Sequence, residues 1–261
     1  MKKKSIVAVL LAMVLVFSLA ACGGGEEEAA KDADTVTYKV GTEPSFPPFD
    51  TTDEEQNIVG LDMDIMKAIG EDQGFEVTFE SLTFDGLIPA LKAGNIDIVA
   101  AGMNKDDKDR QKQVDFSDAY YESKLMVAVT KENNKIKSVD DLTADMKVAA
   151  QTGTTGANKV QELADKGKIA EAVILDGLDT AMMQLLNGDV AAVINDKPVT
   201  EAYMSKQPDK IKMVGKPLNA ENYGFAVKKG NKELLDKINA GLANIKEDGT
   251  FDKLVDKWFN Q

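Results

Sequence analysis

A unit of helix, glycine and apolar strand occurs twice in this chain, 94 residues apart, and it constrains the fold more than any other feature. The two copies are residues 85–99 and residues 179–193. In each copy the glycine, Gly94 or Gly188, stands where helices commonly end in a left-handed residue. The apolar strand that follows is typical of a sheet covered on both faces. We interpret the copies as one unit used in each of two lobes, although coincidence between two common units would produce the same pattern.

The rest of the chain after residue 34 alternates between strand and helix periodicity. Leu61, Ile65 and Ile69 share one helix face and predict a helix that ends at Gly74. The alternation predicts an α/β fold with a largely parallel sheet, and 261 residues suffice for one large domain or two lobes of about 100 residues. Further helices are predicted around 87–91, from 158, at 234–245 and at 251–259, and strands at 36–40, 75–79, 96–100, 125–130, 147–150, 173–175, 190–194 and 223–227.

The first residues are predicted to be a targeting signal. Residues 2–4 are lysines, and residues 6–21 are almost entirely apolar, which is too short for an ordinary membrane span. The segment before Cys22 resembles a bacterial lipobox, which implies a signal peptide over 1–21 and lipidation of Cys22. An uncleaved membrane anchor is the alternative. Residues 22–34 contain glycine and charged residues without a large apolar side chain, so we expect a flexible linker.

Missing residue types exclude several kinds of site. The chain has no histidine, which rules out a Ser-His-Asp triad, a Cys-His pair and a histidine-ligated metal. One cysteine excludes an intrachain disulfide and a cysteine-rich metal centre. The formal net charge is −13, from 44 acidic and 31 basic residues, so the basic footprint that nucleic acids require is absent.

Two features indicate sites for an anionic group. Arg110 is the only arginine, and its planar guanidinium can hold a carboxylate with two parallel hydrogen bonds, as lysine cannot. The alternative is a surface arginine in the charged run 105–112. Residues 151–156 form a glycine-containing turn between a strand and a helix, where backbone N–H groups can bind an anion; a plain turn is the alternative.

Other residues suggest the remainder of a ligand site. Asp196 follows a predicted buried strand, where ligands of α/β sheets bind, and its carboxylate could hold an ammonium group. It could equally cap the next helix, because proline follows at Pro198. Phe46 and Phe84 could form walls of a ligand slot or pack in the core, and for Phe49 we favour the core.

Taken together, these segments resemble the extracytoplasmic amino-acid-binding proteins of ABC importers. The resemblance extends from about residue 35 to 259, and the order and spacing of its motifs are more specific than any one of them. It includes Glu-Pro-Ser-Phe-Pro-Pro-Phe at 43–49, Gly-Leu-Asp-Met-Asp at 60–64, Phe-Asp-Gly-Leu-Ile-Pro-Ala-Leu at 84–91, Ala-Gly-Met at 101–103, Arg110 with 114–118, the tyrosines 120–121, Gly-Thr-Thr at 153–155, Asn-Asp-Lys-Pro at 195–198, Tyr-Gly-Phe-Ala-Val-Lys at 223–228, Glu-Asp-Gly-Thr at 247–250 and Trp-Phe at 258–259.

The family resemblance implies a two-lobed, periplasmic-binding-protein-like (type II) fold with two crossover strands and a ligand in the cleft. It places residues 35–121 plus 221–261 in lobe 1 and residues 125–217 in lobe 2, with a hinge at 122–124 and 218–220.

The resemblance also implies roles for individual residues at the ligand. Arg110 would bind the α-carboxylate with the Thr155 N–H and the Thr154 hydroxyl. Asp196 would bind the α-ammonium with the Gly102 carbonyl and the Asn104 side chain. For the ligand side chain, the implied contacts are Phe46 and Phe84 as a sandwich, with Glu43 and Gln151 at the far end.

Two departures from the family pattern concern Asn104. The family usually has Thr or Ser at this position, and the segment from Gly102 to Arg110 is one residue longer than usual.

The implied function is capture of a free amino acid and its delivery to an ABC importer permease. The resemblance further implies a monomer that is held through the Cys22 lipid at the extracytoplasmic face of a bacterial membrane, or that lies in the periplasm. We expect no catalytic residue, cofactor or metal ion. Glu43 favours glutamine, arginine, lysine or histidine. The alternatives are a dehydratase on the same scaffold, with Glu43 as an acid, and a ligand-sensing receptor subunit.

Overall fold

The computed structural model describes residues 35–260. The predicted signal peptide, Cys22 and the linker lie outside these residues. Within 35–260, no helix combines the length and the apolar character that crossing a membrane requires. The strands are β1 (Thr37–Thr42), β2 (Thr51–Thr52), β3 (Ile58–Val59), β4 (Glu76–Ser81), β5 (Ile98–Val99), β6 (Val114–Phe116), β7 (Tyr121–Ser123), β8 (Leu125–Thr130), β9 (Lys147–Gln151), β10 (Glu171–Leu175), β11 (Ala192–Asp196), β12 (Ile211–Val214), β13 (Glu221–Tyr223) and β14 (Ala226–Lys228). The helices are α1 (Leu61–Gln73), α2 (Phe84–Ala93), α3 (Lys108–Gln111), α4 (Thr155–Asp165), α5 (Leu178–Asn187), α6 (Lys197–Lys206), α7 (Lys232–Glu247) and α8 (Thr250–Phe259).

The strands form two five-stranded sheets with matching topology. The order is β4-β1-β5-β14-β6 in the first sheet and β10-β9-β11-β8-β12 in the second. In each sheet the first three strands are parallel, the fourth strand is antiparallel to both of its neighbours, and the fifth strand runs in the direction of the first three. We call the first sheet with its helices lobe 1 and the second sheet with its helices lobe 2.

The predicted internal repeat is confirmed. Helices α2 and α5 end at Gly94 and Gly188, and both glycines adopt the left-handed conformation and donate their N–H back to the helix. Each helix leads into the central strand of its own sheet, β5 or β11. The repeat therefore occupies equivalent positions in the two lobes.

A short two-stranded pair joins the two sheets. Strand β7 leads from lobe 1 into β8, and β13 leads back toward β14. The two strands pair antiparallel, with Glu221 opposite Ser123 and Tyr223 opposite Tyr121. Because both connections lie side by side, the lobes are linked by one narrow element.

Several predicted boundaries differ from the structure. The strand predicted at 223–227 is two strands, because Gly224 N–H donates to Met103 O and Phe225 N–H donates to Ser117 Oγ between them. Helix α4 begins at Thr155 and not at Asn158. The sheets are largely parallel, as predicted, but each contains one reversed strand, β14 or β8, because the chain enters each sheet from the connecting pair in the opposite direction to the other four strands.

The side chain of Phe49 packs in the core, as predicted. It is fully buried, and its ring contacts the rings of Tyr121, Tyr223 and Phe259 edge-on at centroid distances of 4.9, 5.1 and 5.6 Å. The backbone around Phe49 is equally close-packed. At Gly60, where φ is +148°, an added Cβ would lie 1.9 Å from the Phe49 carbonyl oxygen.

We predict that Gly60→Ala lowers the free energy of unfolding by about 3 kcal/mol or more, since both the conformation and the space at this position exclude a Cβ. Gly188→Ala is the control. Its φ is also positive, at +81°, but no atom lies within 4 Å of an added Cβ, so we expect a loss of about 1 kcal/mol. Equal losses in urea unfolding would show that the contact with Phe49 is unimportant.

Candidate ligand-binding site

Eight of the ten residues predicted to bind the ligand line one cavity between the lobes. Both sheets direct the carboxyl ends of their parallel strands toward it, which is where ligands of α/β proteins commonly bind. The cavity is lined by Phe46, Phe84, Gly102, Asn104, Arg110, Thr154, Thr155 and Asp196, together with Glu221, which sequence reasoning missed.

Arg110 is buried and held in place from both lobes. Its helix α3 starts at Asp107, whose carboxylate accepts the Arg110 N–H at 3.0 Å. The guanidinium donates to the Asn104 carbonyl at 3.3 Å and to the Gly153 carbonyl of lobe 2 at 2.9 Å. It also lies 5.2 Å from the ring centre of Phe84, a cation–π distance. The alternative of a surface arginine is therefore wrong.

The charge of Arg110 has no direct counter-ion. The side chain is 7% exposed, and it forms no ion pair within residues 35–260. Burial lowers the pKa of the guanidinium, against the opposing effect of Asp107, Glu221 and Asp196. A buried cation that is hydrogen-bonded only to carbonyl groups is suited to an anionic ligand group.

Asp196 ends strand β11 on the other side of the cavity. It directly precedes α6, but its side chain makes no capping hydrogen bond, so the helix-cap alternative is wrong for the carboxylate. Instead, its Oδ1 accepts hydrogen bonds from Tyr223 at 2.7 Å and Ser123 at 2.9 Å. Both donors lie in the connecting pair β7–β13.

Glu221 is a second carboxyl group at the same place. It is 2% exposed, lines the cavity and accepts a hydrogen bond from Asn219 at 2.9 Å. Burial and the adjacent charge of Glu221 raise the pKa of Asp196 well above its usual range. The cavity therefore has two carboxyl groups opposite one guanidinium.

The turn after β9 presents backbone N–H groups at the start of α4. The Thr154 hydroxyl accepts the Ala157 N–H at 3.0 Å and donates to the Gln151 carbonyl at 2.7 Å. Its one donor is therefore used within the turn, although the resemblance assigned this hydroxyl to the ligand. The first N–H groups of α4, including that of Thr155, lie at the positive end of the helix and face the cavity region.

Gly102 is held at the cavity by a buried aspartate. The Asp62 carboxylate accepts the Gly102 N–H at 2.9 Å and the Tyr120 hydroxyl at 2.8 Å. The φ of Gly102 is +53°, and an added Cβ would lie 2.5 Å from the Phe46 ring. Burial raises the pKa of Asp62 to about 7. The wall formed by Phe46 and Gly102 thus depends on Asp62.

Glu43 and Gln151 lie beyond the cavity lining and bridge the lobes. The Gln151 amide donates to Glu43 Oε2 at 2.8 Å, and the Ser45 hydroxyl donates to the same oxygen at 2.8 Å. Glu43 is 9% exposed and forms no ion pair in the described part of the chain. Burial raises the pKa of its carboxyl group.

The cleft is closed in this structure. The cavity has a volume of about 10 Å³, whereas a single water molecule needs roughly 10–15 Å³ on the same measure. The cavity in this form therefore has no room for a ligand larger than one water molecule.

Sequence reasoning missed the residues that support the ligand contacts. Ser123, Glu221 and Tyr223 lie in the connecting pair, and no spacing in the sequence relates them to Asp196. Asp62 occurs in a recognised motif, but only its contact with Gly102 shows what its carboxylate does. A buried polar residue in an otherwise apolar segment is the one signal that could have indicated it.

Comparisons with known proteins agree with this geometry. The family model described as bacterial extracellular solute-binding proteins, family 3, matches residues 38–261. A probable histidine-binding protein of Neisseria gonorrhoeae is 35% identical, over 98% of this chain and 96% of its own length.

Two solved structures have the same fold. An ancestral arginine-binding protein bound to arginine is 44% identical with a TM-score of 0.81, covering 85% of this chain and 98% of its own. An ancestral amino acid-binding protein that is a precursor of cyclohexadienyl dehydratase is 38% identical with a TM-score of 0.79, covering 85% of this chain and 95% of its own. The predicted two-lobed α/β fold is confirmed.

We predict that Asp62→Asn changes how stability depends on pH. The folded carboxyl titrates at about 7 and the unfolded one near 3.8, so the native state of the wild type binds the extra proton between these values and loses stability as pH rises through them. The variant lacks this loss. Between pH 5 and pH 8, the free energy of unfolding of the variant should therefore rise relative to that of the wild type by at least about 1.4 kcal/mol, the equivalent of one pKa unit.

Urea unfolding at the two pH values measures this difference. Asp189→Asn, at an exposed position, is the control and should leave the pH dependence unchanged. A constant difference between Asp62→Asn and wild type across the range would contradict the assignment.

Proposed function

The chain belongs to the bacterial extracellular solute-binding proteins of family 3, and we propose that it binds a free amino acid with a cationic side chain, arginine first. The observation that carries this proposal is the placement of Arg110 and Asp196. Both are more than nine-tenths buried, they lie in different lobes, they line the same cavity, and they form no ion pair with each other.

The two charges match the zwitterionic part of an amino acid. The guanidinium of Arg110 would bind the α-carboxylate, together with the N–H groups at the start of α4 near Thr155. The carboxylate of Asp196 would bind the α-ammonium, together with the Gly102 carbonyl and the Asn104 side chain. Burying both charges of the ligand is favourable only when each is paired and hydrogen-bonded.

The surplus of carboxyl groups favours a cationic side chain. Glu43, Asp196 and Glu221 are buried around the cleft, and Arg110 is the one buried cation beside them in residues 35–260. A guanidinium or ammonium group at Glu43 would compensate a carboxylate that now has only neutral donors. Phe46 and Phe84 would contact the apolar part of the side chain. Glutamine is the alternative cargo, because its amide could hydrogen-bond Glu43 and Gln151.

Ligand binding and lobe closure would be coupled. In an open form the ligand would meet only one of its two charge partners, and closure would supply the other. The ligand therefore shifts the population toward the closed form. We place the moving bodies at residues 35–121 plus 221–261 and residues 125–217, with hinges at 122–124 and 218–220.

The proposed role in the cell is uptake. We propose that the closed form delivers its cargo to an ABC importer permease, and that the protein acts as a monomer held through a lipid on Cys22. A binding role without catalysis is the first proposal. The similarity to a precursor of cyclohexadienyl dehydratase keeps an enzyme on this scaffold as a second candidate, and turnover of a cyclic carboxylic acid by the purified protein would favour it.

The test of the proposal is a thermal-shift panel of the twenty amino acids, followed by calorimetry. Ligands that bind the native state raise the melting temperature by mass action. We expect the largest shift with arginine, smaller shifts with lysine, histidine or glutamine, and none with glutamate or aspartate. No shift with any amino acid would overturn the proposed cargo class.

We predict that Arg110→Ala weakens binding of the best amino acid at least about 100-fold, or about 2.7 kcal/mol. The reason is loss of the α-carboxylate partner. Lys108→Ala is the matched control, because Lys108 lies in the same short helix but is exposed. Calorimetry measures both. If binding to Arg110→Ala survives within about threefold, less than about 0.7 kcal/mol, the carboxylate assignment is wrong.

We predict that Glu43→Gln weakens the binding of arginine more than the binding of glutamine. Loss of the buried carboxylate should weaken arginine binding at least about tenfold relative to glutamine binding, or about 1.4 kcal/mol. Glu76→Gln, at the exposed start of β4, is the control. Equal effects of Glu43→Gln on arginine and glutamine would show that Glu43 does not contact the ligand side chain.

A further inference from the structure

Helix α5 of lobe 2 begins without a cap of its own. The residue before it is Gly177, which has no side chain, and no capping hydrogen bond from that position exists. The first N–H groups of a helix have no partner within the helix and need one from a side chain or from water. By contrast, α4 in the same lobe is capped by the hydroxyl of its own Thr154.

The partner of the α5 start comes from the other lobe. The Leu178 N–H donates to Ser45 Oγ at 3.1 Å. Ser45 follows β1 and the lobe 1 residue Glu43, and its hydroxyl proton is donated to Glu43 Oε2 at 2.8 Å. The hydroxyl thus uses its donor within lobe 1 and one of its acceptor sites across the cleft.

A second hydrogen bond joins Ser45 to lobe 2. The Tyr203 hydroxyl of α6 donates to the Ser45 carbonyl oxygen at 3.2 Å. Two helices of lobe 2, α5 and α6, therefore contact one residue of lobe 1. Neither contact involves the residues that line the ligand cavity.

We propose that Ser45 is a positioning residue that caps α5 across the cleft and so favours the closed form of the protein. This inference rests on the lobe closure in the proposed function, but not on the identity of the cargo. When the lobes separate, the Leu178 N–H loses its side-chain acceptor and donates a hydrogen bond to water instead. Closure restores the acceptor at a helix N-terminus, where serine is among the favoured caps.

The capping contact has a distinctive consequence for binding. A residue that touches the ligand changes the affinity for different ligands by different factors. A residue that only shifts the open–closed equilibrium changes the affinity for every ligand that requires closure by the same factor. Because Ser45 also donates to Glu43 Oε2, the ligands are compared in the Glu43→Gln background, where Ser45→Ala should affect arginine and glutamine equally.

The first test is Ser45→Ala in the full-length mature protein, with two readouts. In the ligand-free protein, hydrogen exchange of the Leu178 amide should become about fivefold faster, the factor that corresponds to loss of one helix cap. X-ray scattering should show a larger radius of gyration. This readout needs no ligand, so its outcome does not depend on which cargo the protein binds.

The second readout is binding. In the Glu43→Gln background, Ser45→Ala should weaken every amino acid that still binds by one common factor of about fivefold, mainly through faster dissociation. Ser45→Thr, which keeps a hydroxyl, should restore wild-type values. Ser138→Ala is the matched control, because Ser138 caps a short 3-10 helix inside lobe 2 and should lower the melting temperature without changing the radius of gyration.

Two results would overturn the proposal. One is unchanged exchange at Leu178 and an unchanged radius of gyration in Ser45→Ala. The other is a loss of affinity that differs between ligands in the Glu43→Gln background, which would show that Ser45 acts on the ligand itself. A wild-type melting temperature for Ser45→Thr would show that substitution at this position does not by itself cause a folding defect.

Discussion

The arrangement of the site depends on one electrostatic constraint, the burial of opposite charges that do not pair with each other. Arg110 and Asp196 lie in different lobes, and Arg110 is hydrogen-bonded to carbonyl groups, whereas Asp196 accepts from Ser123 and Tyr223 and lies against the carboxyl group of Glu221. Burial of an ion costs free energy that neutral groups offset only in part. A ligand that carried both charges would therefore supply the partner that each group lacks.

The connecting pair β7–β13 links this charge arrangement to motion. Ser123 and Tyr223, which hold the Asp196 carboxylate, belong to the two strands that join the lobes, and so does Glu221. The strands that join the lobes therefore also carry the hydrogen-bond donors to Asp196.

On the opposite side of the cavity, closure is supported by contacts that involve no ligand group. Glu43, Ser45 and Gln151 connect the lobes through short hydrogen bonds. These contacts lie next to the place proposed for the ligand side chain. The segment after β1 thus combines a buried carboxylate, a hydroxyl and aromatic rings beside the contacts that join the lobes.

The sequence by itself determined the repeated helix–strand unit, the α/β class and most residues of the cavity. Local rules suffice for these features, because glycine caps, apolar strands and a solitary arginine are visible in short segments. Phe46, Gly102 and Asp196 were found through their motifs. The tertiary structure decided the mixed sheets, the connecting pair, the role of Asp62 and the contacts of Glu221 and Ser45. Each of these depends on groups from distant segments of the chain that come into contact only after folding, and no local periodicity of the sequence indicates such a contact.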